Sequence, residues 1–137
     1  MYHEITLVGY LGSDPEMRYT PEGAPVANFS VATSRKWTNQ DGTQGEETVW
    51  WRVTTWRRLA ETCNEYLHKG SPVLIKGRMR PGENGSPRIW FGRDGEARAS
   101  YEITASMVRF LPNKNGTVES IPEEPKNSLD DSQETPF

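Results

Sequence analysis

The sequence predicts a small all-β domain with one helix, followed by an acidic tail, and three observations carry that expectation. Residues 49–56 read Val-Trp-Trp-Arg-Val-Thr-Thr-Trp. Strand formers at that density favour extended backbone, with side chains alternating between two faces. Directly afterwards, Leu59, Cys63, Tyr66 and Leu67 recur at helical spacing. From Pro112 onward apolar residues nearly vanish, and Pro, Asn, Ser, Asp and Glu dominate; such a segment buries no core and is expected to be disordered.

The elements follow in order. Ile5 to Leu11 is a short apolar run closed by Gly12-Ser13-Asp14-Pro15, a strand ended by turn residues. Thr20 to Pro25 is a second turn. Val26 to Ser34 is a strand with Ala27, Phe29 and Val31 on one face. Asn39 to Glu47, with Asp41-Gly42 inside it, reads as a hairpin loop before the strand from Thr48 to Trp56. The helix comes next, with Lys69-Gly70 as its cationic last turn and C-cap. Val73 to Arg80 is a fourth strand, placing Val73, Ile75 and Met79 on one face and Lys76, Arg78 and Arg80 on the other. Pro81 to Ala97, rich in Gly, Pro and charge, is a long loop or flexible hairpin. Ser100 to Leu111 is the last strand, with Tyr101, Ile103, Ala105 and Met107 alternating. Three strands, a helix and two strands within about 110 residues are the pattern of the OB-fold, a five-stranded Greek-key barrel whose face and loops bind oligonucleotides or oligosaccharides. The expected organisation is a domain over 1–111 and a tail over 112–137.

Composition excludes several classes. The chain has 137 residues and a formal net charge of −3, with a mean hydropathy of −0.79. No apolar run approaches the length of a membrane span, and the start has no signal-peptide pattern. The single cysteine, Cys63, forms no intrachain disulfide and fits a reducing, cytoplasmic setting. His3 and His68 are isolated and make no metal pair with Cys63, so neither a metal nor another cofactor is expected. No nucleophile elbow or phosphate-binding glycine loop is present, and the chain does not read as an enzyme. The acidity belongs to the tail: residues 1–111 hold 14 Lys/Arg and 13 Asp/Glu, whereas residues 112–137 hold 2 and 6. A near-neutral body that binds an anion must do so through local basic stripes.

The strand from Thr48 to Trp56 supplies such a stripe. One face carries Trp50, Arg52, Thr54 and Trp56; the other, with Val49, Trp51, Val53 and Thr55, is an ordinary buried face. Tryptophans usually fill cores or subunit contacts. Two flat rings around a guanidinium suit instead a flat, repeated, negatively charged ligand. Single-stranded nucleic acid is one, because bases stack on aromatic rings while phosphates attract Arg and Lys. Trp37, after Arg35 and Lys36, and Trp90, between Arg88 and Arg93, share this basic setting. With Lys76, Arg78 and Arg80 they complete the candidate binding set. A protein-interaction module, in which the tryptophans fill a partner interface, and an RNA-binding OB protein are the alternatives.

These segments resemble the bacterial single-stranded DNA-binding protein family. The resemblance rests on Ile5 to Tyr19, on Val26 to Ser34, on Trp50 to Val53, and on Leu59-Ala60-Glu61 with Glu65-Tyr66-Leu67 and Lys69-Gly70-Ser71. It implies stacking roles for Trp37, Trp50, Trp56 and Trp90, and a homotetramer around which single-stranded DNA wraps during replication, repair and recombination at the bacterial nucleoid. It also implies a tail whose acidic tip docks replication and repair proteins, here through Asp130, Asp131, Glu134, Pro136 and Phe137. The sequence departs from the family at Ser132-Gln133 and Thr135, where acidic and aliphatic residues are usual. It departs again at Trp51, where a His is common beside the subunit contact.

Overall fold

The computed structural model describes residues 1–112. Expectations for the rest of the tail, including those for Asp130, Asp131, Glu134, Pro136 and Phe137, lie outside the described residues. The element order is β1 (Ile5–Leu11), β2 (Glu16–Tyr19), β3 (Pro25–Thr38), β4 (Gln44–Trp56), α1 (Arg57–Tyr66), β5 (Pro72–Met79), β6 (Ile89–Phe91), β7 (Ala97–Ala99) and β8 (Tyr101–Phe110). Neighbouring strands run β1-β5-β8-β4-β3-β2, and β3 also pairs with β1. That last pairing closes β1, β5, β8, β4 and β3 into the five-stranded barrel of the OB-fold. The closure is short, joining Tyr10 to Ala32 and Leu11 to Val31. β4 and β8 are parallel; β6 and β7 form a separate hairpin.

The period-two pattern fills the barrel. Leu7, Leu11, Phe29, Val31, Val53, Val73, Ile75 and Ile103 make one core, to which Cys63 and Leu67 are added from α1 and the residue after it. Burial pushes the Cys63 thiol up to about 11, so near neutral pH it packs as a small apolar residue.

Several boundaries differ from those expected. The β3–β4 ribbon is longer, because cross-strand polar pairs continue it beyond the core: Ser34 bonds Thr48, and Arg35 bonds Glu47. The turn shrinks to residues 39–43, held by Asp41 accepting from the Thr43 N–H and hydroxyl. The short strand β2, absent from the sequence reading, pairs Glu16–Tyr19 with β3. The helix stops at Tyr66, before Lys69-Gly70, because Leu67 turns extended to seat its side chain in the core. Met79 is exposed and Met107 does not join the core, while Val108 packs against it. A register shift at Lys76/Gly77 leaves Ser106 unpaired on β8 and inverts the alternation beyond it.

Arg57, where β4 turns into α1, has φ of 58°. An L-residue in this left-handed region is strained by about 1–2 kcal/mol. Arg57→Gly is expected to raise stability by about 0.5–1 kcal/mol after its greater unfolded-state entropy is offset. A urea midpoint that falls instead would show that contacts of the Arg57 side chain outweigh the strain.

Candidate nucleic-acid interface

Strand pairing assembles the candidate residues in rows across the outer face of the barrel. Arg78 of β5 lies opposite Thr104 of β8, Thr104 opposite Thr54 of β4, and Thr54 opposite Asn28 of β3. In the next row Glu102 lies opposite Arg52, and Arg52 opposite Ser30. The Arg80 N–H donates to the Glu102 carbonyl at 2.8 Å and continues that row. Trp56 and Trp50 flank these rows along β4, opposite Val26 and Ala32. Four elements therefore bring Trp50, Arg52, Trp56, Arg78 and Arg80 to one face. Lys76 stands beside it on β5, opposite Thr6 and Met107.

The face is more settled than the sequence implied. Thr54 is buried, its hydroxyl donating to Asn28 Oδ1 at 2.9 Å. Trp50 and Trp56 are half-buried. The Trp50 ring lies against Gly12, where a Cβ would stand 2.3 Å from ring carbon Cζ3. Trp37 is treated the same way: it faces Gly45 across the ribbon, and a Cβ there would come within 2.2 Å of its ring. Gly12, in the turn after β1, and Gly45, on β4, thus let two indole rings approach the backbone closely before any ligand arrives. The sequence marked Gly12 only as a turn residue and did not mark Gly45, which stands opposite Trp37 in the strand register.

Trp37 belongs to a different group from Trp50. Strand alternation puts Arg35 and Trp37 on the opposite side of the β3–β4 ribbon from Lys36, Trp50 and Arg52. The Arg35 guanidinium sits 4.8 Å from the Trp37 ring centroid, a cation–π contact. Trp37 Nε1 donates to Asn39 Oδ1 at 3.0 Å. Trp51, on the core side, is half-buried. It packs against the core, donates Nε1–H to Thr33 Oγ1 at 2.8 Å, and tilts against the exposed Tyr101 ring at 5.4 Å.

Trp90 and Arg88 belong to the arm formed by β6 and β7. Trp90 is half-buried opposite Arg98, while Ile89 and Phe91 are exposed on the arm's other face. Arg93 is exposed near the tip. The arm is joined to the barrel by an acid that the sequence reading missed. The Glu102 side chain, 2% exposed, lies 3.5 Å from Arg88 Nη1 and 4.0 Å from Arg52 Nε. Glu102 was legible as the one acid among the alternating residues of the last strand. Desolvation lowers the Arg52 pKa and Glu102 opposes that shift, while Arg18 and Arg88 add repulsion.

The profile of the Single-strand binding protein family matches residues 2–111. A protein of Neisseria meningitidis serogroup A / serotype 4A named single-stranded DNA-binding protein is 41% identical over 113 residues, covering 82% of this chain and 62% of that protein. One of the same name from Wolinella succinogenes is 37% identical over 117 residues, covering 85% and 68%. The chain thus spans less than two thirds of the length of the Neisseria relative. A solved structure described as a Plasmodium falciparum SSB complex with ssDNA superposes with a TM-score of 0.67 at 24% identity, covering 82% of this chain and 97% of that one; it supports the barrel fold. The match over nearly all the described residues, with relatives at this identity, shows that the chain belongs to the single-strand binding protein family.

Proposed function

We propose that the protein binds and protects single-stranded DNA without sequence preference during replication, repair and recombination. The observation that carries this is the single outer face holding Trp50, Arg52, Trp56, Arg78 and Arg80, with Trp50 packed against Gly12. Bases stack on the indoles, and phosphates follow the guanidiniums. Trp37 with Arg35 and Lys36 on the ribbon, Lys76 on the barrel, and Trp90 with Arg88 and Arg93 on the arm extend the path. The relatives are named for binding and not for a reaction.

Assembly into a homotetramer fits a second feature. Val8 and Tyr10 of β1 are exposed beside the half-buried Leu74 of β5 on the outer face, an apolar patch suited to a second copy. Residues 112–137 form the acidic tail in this proposal, and Asp130, Asp131, Glu134, Pro136 and Phe137 recruit replication and repair proteins. The setting is the bacterial cytoplasm at the nucleoid; no helix among the described residues is long and apolar enough to cross a membrane.

Titration of the full chain with oligo(dT) is expected to quench tryptophan fluorescence strongly. The log of the affinity should fall linearly with log salt, with a slope of about −0.7 per phosphate neutralised. Oligo(rU) should compete more weakly and a blunt duplex hardly at all. Unchanged fluorescence with no binding would favour a protein-interaction module, and preference for duplex would rule the proposal out.

A further inference from the structure

We infer that Glu102 is a positioning residue that holds Arg52 of the barrel and Arg88 of the β6–β7 arm in place for phosphates of the bound strand. The inference rests on the single-strand binding proposed above and adds a residue to it. Glu102 is a buried carboxylate on the outer face, flanked in its row by Arg52 and Arg80. Its side chain is 2% exposed, whereas those of Arg52 and Arg88 are 15% and 25% exposed. The acid thus lies beneath the two guanidiniums. Each guanidinium carries five N–H donors in a planar fork, so a single carboxylate can orient it without taking up all of them. Arg18 and Arg88 both repel Arg52, Glu102 and to a lesser degree Glu16 oppose them, and Glu102 lies within 4.0 Å of both Arg52 and Arg88. The bridge has a mechanical consequence as well. Arg88 leads into β6, so its link to Glu102 ties the arm bearing Trp90 to the barrel bearing Trp50 and Trp56.

Two roles for such an acid predict opposite results. A positioning carboxylate must stand at the right distance; an acid that only offsets charge need not. Glu102→Asp keeps the charge and withdraws it by one methylene, and is the main test in the full chain. The folded state is checked by thermal melting. Positioning predicts an oligo(dT) dissociation constant raised about tenfold, the scale of a lost hydrogen bond to a charged group. It also predicts a salt slope shallower by about 0.7 for each guanidinium displaced. Glu102→Gln should weaken binding at least as much. Its effect should shrink when Arg88→Gln is already present, because part of what Glu102 holds is then gone.

Wild-type affinity and salt slope in a folded Glu102→Asp protein would overturn the inference. So would tighter binding by Glu102→Gln with a steeper slope, which is the signature of charge offset alone. Failure of the wild-type chain to bind oligo(dT) would instead overturn the proposed function, so the two failures are distinguishable.

Discussion

Gly9→Ala is expected to destabilise the domain by about 3 kcal/mol or more, a large fraction of the 5–15 kcal/mol typical of a whole domain. Gly9 lies on β1 just before the strand meets β3 at Tyr10 and Leu11. A Cβ at that position would stand 2.1 Å from the Ala32 carbonyl oxygen and 3.0 Å from Val31 Cγ1. The nearest obstacle is backbone, so no rotamer change relieves it. β1 must either move away from β3, giving up the short pairing that closes the barrel, or push β3 out of its ladder with β4. Urea denaturation measures the loss. The same experiment on Gly42→Ala, in the exposed β3–β4 turn, should show a smaller loss. Gly42 has φ of 87° and no atom within 4 Å of a built Cβ, so only local strain acts there. Comparable losses would mean that β1 yields at the crossing and that closure is softer than the contact distance implies.

The order of the five barrel strands and the helix was legible because its signals are local. Alternation in Val49–Trp56 and helical spacing from Leu59 to Leu67 need only neighbours in the chain. What was illegible depends on partners distant in sequence. The ribbon beyond Ser34 looks polar enough for a loop; it is a ladder because Arg35 meets Glu47 and Ser34 meets Thr48. Met107 and Val108 exchange roles through a one-residue register shift that no periodicity reveals. The same division runs through the candidate site. Trp50, Arg52 and Trp56 are conspicuous on a single strand, whereas Glu102 gains its meaning only from the parallel pairing of β8 with β4. Trp37 and Trp50 read as one set in the sequence, yet continuous register from Val26 to Thr38 puts them on opposite sides of the ribbon. A strand of DNA contacting both must pass over an edge or around the hairpin end.

Replacing Trp50 and Trp56 together with Ala is expected to weaken oligo(dT) binding by about 2–6 kcal/mol, from about 1–3 kcal/mol per lost base stack. That is roughly one and a half to four powers of ten in the dissociation constant. Both rings flank Arg52 on the outer face, and Trp50 already packs against Gly12. Little ordering of that ring is then left for the ligand to impose, so nearly the whole stack is lost with it. Phe at both positions should recover much of the affinity, since a smaller π-face still stacks. Trp51→Ala is the contrasting variant. Its ring packs on the core side, and its N–H satisfies Thr33, so its loss should lower the melting temperature and leave the stacking face intact. The three variants are compared by fluorescence-independent titration, such as anisotropy of a labelled oligonucleotide, because the substitutions remove the fluorophores. If the folded double variant binds like wild type while folded Trp51→Ala does not, the bases stack on the opposite face of β4. The outer rows then serve some other contact.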